Sequence, residues 1–313
     1  MAFSGKGKVW MNGRLVDWKD ATIHVASHVV HYGTGVFEGI RAYHSDRGTN
    51  IFRLQAHMRR LIDSCRVYRM EPAYDVDRLT DAVVETVREN GFKSCYIRPL
   101  VYRGYEQLGV NPLPCPVDIA IVVWEWDAYL GGDALENGVD VGVSSWTRMA
   151  PNTFPALAKA TANYANSGLI KMQATVDGYA EGIALDESGV ISEGSGQNLF
   201  LVRDGVIYTP SLTSSILQGI TRDSVVTIAR DLGFDVREQG LPREFLYLAD
   251  EMFFCGTAVE ITPICSVDKI TVGKGRRGPV TEALQSRFFG IIKGELPDEH
   301  NWLTPVGAAV AAK

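Results

Sequence analysis

In the second half of this chain the apolar runs are short and broken by glycine-bearing turns, and that spacing constrains the fold more than any other feature. Asp186-Glu187-Ser188-Gly189, Glu193-Gly194-Ser195-Gly196 and Arg203-Asp204-Gly205 are three such interruptions. Turns this closely spaced leave strands of a few residues and no space for a crossover helix between each pair. Regular βαβ winding does not fit, and an α+β architecture is expected.

The first half carries clearer periodic signals. Val9 to Val16 is broken at Asn12-Gly13, the pair favoured in two-residue hairpin turns. Leu54, Met58, Leu61, Ile62 and Cys65 recur at helical spacing, predicting an amphipathic helix from about Leu54 to Arg69. Leu79 to Glu89 repeats the pattern, and strands follow at Cys95 to Tyr102 and Val117 to Trp126. The turn-rich stretch Asp127 to Asp133 is the best candidate boundary. It divides a smaller domain at 1–127 from a larger one at 137–313, with 128–136 as the loop between them. Beyond it, Val139 to Ser144 reads as a strand and Ala160 to Gln173 as a helix. Thr221 reads as the N-cap of a further helix that stops at Gly233. Gly307 to Lys313 is small and bland, and is expected to fray.

With 313 residues the chain can bury cores for two domains. Thirty-one basic residues against 37 acidic ones give a formal charge of -6, which argues against a nucleic-acid binder. No apolar run is long enough to cross a bilayer, and the N-terminus lacks the apolar stretch of a signal peptide. The five cysteines, Cys65, Cys95, Cys115, Cys255 and Cys265, are scattered and lack C-x-x-C spacing. They read as reduced thiols in a cytoplasmic protein, with no metal site expected.

Familiar short motifs do not assign a chemistry. Gly33-Thr34-Gly35 with Gly39 is one residue too long for a dinucleotide fingerprint, and Gly273 to Gly278 lacks the Lys-Ser/Thr of a phosphate loop. No H-E-x-x-H, EF-hand or G-x-S-x-G pattern is present. His24, His28 and His31 cluster, but polar packing explains them better than a metal does.

Longer segments carry more. Tyr32-Gly33-Thr34-Gly35-Val36-Phe37-Glu38-Gly39-Ile40-Arg41, Tyr96-Ile97-Arg98-Pro99-Leu100 and Ala150-Pro151-Asn152-Thr153 leading to Lys159-Ala160 and Asn163-Tyr164 stand in that order. Then come Glu181 to Asp186 with Ser192-Glu193-Gly194, Gly219-Ile220-Thr221-Arg222, and Gly256-Thr257-Ala258 with Glu260-Ile261-Thr262-Pro263. Together they resemble the bacterial branched-chain aminotransferases, fold-type IV enzymes that use pyridoxal 5'-phosphate. The resemblance runs from about Val9 to Pro305. It implies a two-domain fold like that of D-amino acid aminotransferase, with the cofactor at the domain interface.

The resemblance assigns Lys159 as the catalytic Schiff-base lysine, carried by the larger domain. Such a lysine must be neutral when it moves the Cα proton, which burial and nearby cations favour. Glu193 would face the pyridine nitrogen and keep it protonated. Tyr164 would donate to the phenolic oxygen and Leu217 pack on the ring, with Gly196 close to it. The phosphate would take Ile220 and Thr221 at a helix start, the Thr257 hydroxyl and the Arg59 guanidinium. Because Arg60 is adjacent, helical spacing alone does not say which arginine turns inward.

The same resemblance implies a substrate pocket that takes an apolar side chain and, in the other half-reaction, glutamate's carboxylate. Tyr96 and Arg98, two apart on a strand, share a face. Arg98 would receive the second carboxylate. Tyr32, Phe37, Trp126 and Tyr129 would wall the pocket, with Gly39, Arg41 and Val110 contributing, and Tyr96, Thr257 and Ala258 near the α-carboxylate. The implied reaction is ping-pong transamination of L-leucine, L-isoleucine and L-valine with 2-oxoglutarate, giving 2-oxo acids and L-glutamate. A homodimer or homohexamer with shared sites is implied, with no nucleic-acid or membrane partner. Gly104 to Pro116 keeps a Gly109-Val110-Asn111-Pro112 core but varies around it, which puts the substrate range in doubt. A D-amino acid or (R)-amine transaminase and a pyridoxal-phosphate lyase are the alternatives on this scaffold. A silent cofactor-binding protein is disfavoured because the lysine, the acid and the phosphate residues are all present.

Overall fold

The computed structural model describes residues 5–126, 130 and 133–307. The chain divides into two compact units, one comprising Met1–Asp127, Ala158–Ala162 and Ile291–Lys313, the other Ala128–Leu157 and Asn163–Gly290.

In the first unit the expected hairpin forms between Lys8–Met11 and Arg14–Asp17. Asn12 and Gly13 both take positive φ, 46° and 98°, the left-handed pair that a tight two-residue turn needs. The hairpin extends an eight-stranded sheet whose centre pairs Ile40–Ser45, Cys95–Arg103 and Val117–Trp124. Two helices cover this sheet, Leu54–Val67 and Val76–Asn90. The first presents Leu54, Met58, Leu61 and Cys65 to the core, all fully buried. Burying each leucine contributes roughly 1.5–3 kcal/mol. Asp75 starts the second helix by accepting the Arg78 backbone N–H at 2.9 Å, and Gly91 ends it in the left-handed conformation.

Two segments expected in the larger domain belong to this first unit instead. Ala160 bridges to Val36, and the Phe37 N–H donates to the Lys159 carbonyl at 2.9 Å, so the lysine segment is annexed by main-chain pairing. Near the C-terminus, Leu303–Pro305 pairs with Gly48–Phe52 as an edge strand. Long-range β-pairing of this kind leaves no periodic trace in the local sequence.

The second unit holds a nine-stranded sheet of the expected short strands. Val139–Val143 lies parallel to both Glu181–Leu185 and Glu260–Val267, while Asn198–Arg203 lies antiparallel to Glu251–Gly256. The sheet is therefore mixed. The longer helices that belong largely to this unit are Asn163–Val176, Ile220–Asp231 and Pro279–Ile292.

Two expected helix starts shift. The first begins at Asn163, not Ala160, because the Thr161 N–H and hydroxyl are engaged by the carbonyls of Gly33 and Gly35 in the first unit. The second is capped by Gly219, which is extended at φ -69° and ψ 134°, so Thr221 lies inside the first turn. No helix among the described residues is long and apolar enough to cross a membrane.

Candidate active site

In the first unit, three adjacent strands bring Arg41, Tyr96 and Trp124 into direct cross-strand register. Arg98 follows two residues after Tyr96 and reaches its hydroxyl at 3.3 Å. Its guanidinium lies over the rings of Phe37, Tyr96 and Trp124, at 4.7, 5.2 and 5.7 Å from their centroids. Trp126 packs on Tyr96 with centroids 4.6 Å apart. A cation boxed by aromatic faces is held without losing its charge. Lys159 Nζ lies 5.2 Å from the centroid of the same Phe37 ring. Phe37, Gly39, Tyr96, Arg98, Trp126 and Lys159 are thus brought together.

Gly39 is required by this packing. A Cβ there would lie 2.0 Å from the Tyr96 hydroxyl.

The Leu54–Val67 helix serves the site through one stripe, His57, Arg60 and Ser64, at intervals of three and four. His57 Nδ1 is 2.7 Å from a Glu38 oxygen, and Arg60 contacts both oxygens of that carboxylate at 2.7 and 2.8 Å. Ser64 Oγ accepts the Lys159 backbone N–H at 3.0 Å. Arg59 is one position off the stripe and is exposed. The 100° turn per residue around the helix thus turns Arg60 toward Glu38 and leaves Arg59 on a different side, open to solvent.

Glu38 is fully buried, and burial by itself would raise its pKa. The Arg60 guanidinium and His57 outweigh that and hold it well below the usual carboxylate range. Burial lowers the His57 pKa despite Glu38. His57 is accordingly neutral and donates through Nδ1, since a carboxylate can only accept.

Tyr32 and Val110 are 44% and 88% exposed. Both lead back to His28, whose ring lies 4.5 Å from that of Tyr32 and whose Nε2 is 2.7 Å from the Gly109 carbonyl oxygen. Tyr129 lies outside the described residues.

In the second unit, Glu193 ends the Ile191–Gly194 strand and is buried. The tight turn after it is closed by the Gly194 N–H donating to the Gln197 carbonyl at 2.8 Å, which leaves Gly196 exposed. Asn198 Nδ2 donates to Glu193 Oε2 at 3.0 Å and to the Leu217 carbonyl at 2.9 Å. The Leu217 N–H donates to the same Glu193 oxygen at 3.1 Å. Arg148 Nη2 donates to the other oxygen at 2.8 Å.

Gly219 then opens the Ile220–Asp231 helix without a side-chain cap, placing Ile220 and Thr221 in its first turn. A helix start without its own cap offers backbone N–H groups to an anion. Tyr164 lies in the first turn of the Asn163–Val176 helix and is half-buried. Thr257 and Ala258 occupy the turn between the strands Glu251–Gly256 and Glu260–Val267.

Glu38, His57, Arg148 and Asn198 were not singled out from the sequence, and Arg60 entered only as the neighbour of Arg59. Glu38 was inside a quoted motif, and Arg148 stands two residues before another; buried charge at those positions was the missing clue.

The first unit thus places an amine beside an aromatic-boxed arginine, and the second holds a buried, hydrogen-bonded carboxylate and an uncapped helix start. The amino-transferase class IV family model matches residues 35–267. The branched-chain-amino-acid aminotransferase of Salmonella typhimurium is 53% identical over 301 residues, covering 96% of this chain and 97% of that protein. The crystal structure of Escherichia coli branched-chain amino acid aminotransferase superposes with a TM-score of 0.95 at 52% identity, covering 96% of this chain and all of that one. A T.th. branched-chain amino acid aminotransferase complexed with N-(5'-phosphopyridoxyl)-L-glutamate superposes at 0.92 with 46% identity, covering 96% and 99%. The chain belongs to the class IV aminotransferase family and is an aminotransferase. Within that family its similarity is to the branched-chain-amino-acid aminotransferases.

Proposed function

We propose that this aminotransferase moves the amino group of L-leucine, L-isoleucine or L-valine to 2-oxoglutarate, yielding branched-chain 2-oxo acids and L-glutamate. The observation that carries the reading is the Arg98 guanidinium enclosed by Phe37, Tyr96 and Trp124, with Lys159 on the same Phe37 ring. Ring faces accept a branched aliphatic side chain, while the boxed cation accepts a carboxylate in the other half-reaction. One pocket then serves two unlike substrates in turn, as ping-pong exchange demands.

The donor set fits pyridoxal 5'-phosphate, an inference in keeping with the phosphopyridoxyl group bound by the T.th. relative. When bound, the pyridine ring supplies an electron sink for the pair left at the substrate's Cα. Lys159 would hold the cofactor through Nζ, and the neutral amine would then take the Cα proton. Glu193, fixed by Arg148, Asn198 and Leu217, would accept a hydrogen bond from the ring nitrogen. Ile220, Thr221 and Thr257 would hold the phosphate, with the Arg59 guanidinium, which Glu38 does not occupy, as its cation. Tyr164, Leu217 and Gly196 would complete the cofactor contacts. Arg41, Gly39, Tyr32, Val110, Trp126, Tyr129 and Ala258 remain substrate-side candidates. All five cysteines are free thiols, in keeping with a cytoplasmic setting, and a homodimer or homohexamer is the proposed assembly.

Absorption spectra before and after L-leucine test this reading. A visible band that shifts with L-leucine and returns with 2-oxoglutarate is the expected result, and Lys159→Ala should abolish turnover. A band that ignores L-leucine but answers a D-amino acid or an (R)-amine would overturn the substrate assignment. No band after adding pyridoxal phosphate would overturn the cofactor.

A further inference from the structure

We infer that Arg148 is a positioning residue for the reaction, acting through Glu193: it fixes the carboxylate's orientation and shares its charge. The inference rests on the reading of Glu193 as the group that meets the cofactor's ring nitrogen.

Arg148 is built into the second unit from three directions. Its backbone N–H donates to the Leu185 carbonyl at 2.8 Å, tying it to the Glu181–Leu185 strand. Nη1 donates to Asn166 Oδ1 at 3.0 Å and to Ser167 Oγ at 3.2 Å, both on the helix that carries Tyr164. Asn166 is itself pinned, donating through Nδ2 to the Thr147 carbonyl at 2.9 Å. The remaining terminal nitrogen, Nη2, is spent on Glu193.

The side chains of Arg148 and Glu193 are 6% and 5% exposed. A pair so dry is costly to assemble, and the further hydrogen bonds to Asn166, Ser167, Asn198 and Leu217 offset part of that cost. A guanidinium suits positioning because its planar fork sets direction as well as charge, which a lysine ammonium does not.

Glu193 is held in a directional way. Oε1 accepts from Arg148, and Oε2 accepts from the Asn198 side chain and the Leu217 N–H. Each of these groups donates, so the carboxylate meets them as an acceptor and cannot rotate without breaking one of these bonds. With Arg148 removed, the Oε1 side loses this anchor while the Oε2 side keeps its two. The carboxylate then lacks the guanidinium charge beside it and can swing about the Oε2 contacts. A ring nitrogen facing it would meet a different charge and a less defined acceptor.

The test uses full-length protein loaded with pyridoxal phosphate, with Arg148→Met, Arg148→Lys, Glu193→Gln and the Arg148→Met/Glu193→Gln double variant. Two quantities are read: the visible absorption band as a function of pH, and the affinity of the apoprotein for pyridoxal phosphate. Arg148→Met is expected to displace the band's pH midpoint in the same direction as Glu193→Gln. It is also expected to weaken cofactor uptake by about tenfold or more, the scale seen when outer partners of site ligands are removed. Arg148→Lys should recover part of the affinity. In the Glu193→Gln background, Arg148→Met should add less than its effect alone, since both act through one contact.

A midpoint and affinity unchanged in both Arg148→Met and Arg148→Lys would overturn the proposal, whatever their thermal stability. Full additivity in the double variant would do the same. Should Arg148→Met fail to fold, Arg148→Lys decides through the same two readouts. If Glu193→Gln itself leaves band and affinity untouched, the underlying assignment of Glu193 fails, which is distinguishable from failure of the Arg148 inference alone.

Discussion

Gly39 and Tyr96 are in contact so close that a single methyl on the glycine would sit 2.0 Å from the tyrosine hydroxyl and 2.9 Å from its Cζ. Tyr96 in turn packs on Trp124 and Trp126 and hydrogen-bonds Arg98. Gly39→Ala therefore cannot be absorbed locally and must push Tyr96 and its neighbours. A displacement near 1 Å at a substrate-positioning group can cost about a hundredfold in rate. The expected outcome is a fall of that order in kcat/KM for L-leucine, with the melting temperature much less affected. Kinetics within twofold of wild type would show that Tyr96 does not position the substrate.

Arg59 and Arg60 should part company on substitution. Arg60→Ala leaves the fully buried Glu38 carboxylate without its guanidinium, a change that costs about 3–5 kcal/mol in buried pairs. Arg59→Ala alters only an exposed side chain and should stay within about 0.5 kcal/mol. Urea unfolding of the two variants checks both. Equal effects would undo the assignment of Arg60 as the inward residue.

Acid should find the same cluster. Glu38 has its folded pKa depressed by Arg60 and His57, so its stabilising contribution is complete above the ordinary carboxylate value of 4.5 and is lost as pH falls below it. His57 is also depressed, by burial, so its contribution begins to be lost below 6.5. Both act in one direction. Each site costs up to about 1 kcal/mol of stability per pH unit once within its window. Urea midpoints measured from pH 7.5 to 3.5 should hold level to about 6.5 and fall below it, and Glu38→Gln should flatten the part below 4.5. A wild-type midpoint independent of pH over that range contradicts the assignment.

Away from the site, Glu251 caps the start of the Pro279–Ile292 helix from a neighbouring strand. It accepts the Val280 N–H at 3.0 Å, the Thr281 N–H at 2.9 Å and the Thr281 hydroxyl at 2.7 Å. A Cβ on Gly278 would lie 2.1 Å from the Glu251 carboxyl carbon. Gly278→Ala should displace the cap and cost about 1–3 kcal/mol, read as a lower melting temperature. Activity at 25 °C should be retained. An unchanged melting temperature would show that the helix start does not depend on Glu251.

Much of the molecule was legible in the sequence because the responsible forces act locally. The Asn12-Gly13 turn is set by backbone sterics at two residues, and the Leu54–Val67 helix by the period of its apolar positions. The pairing of Tyr96 with Arg98 on one strand face follows from the alternation of a β-strand. Resemblance of whole segments added Lys159 and Glu193 as chemical candidates.

What the sequence by itself determined is therefore the set of elements, their α+β character and the residue types available for chemistry. Only the tertiary structure decided which unit owns Lys159, because main-chain pairing of Ala160 with Val36 joins residues more than a hundred positions apart. It also decided that Arg60 and not Arg59 turns inward, that Gly219 and not Thr221 caps its helix, and that Arg148 holds Glu193. Charge pairs and caps of this kind depend on where a distant partner stands once the chain has folded. A buried carboxylate selects its counter-ion by distance and desolvation, and neither quantity exists until the core has closed around it.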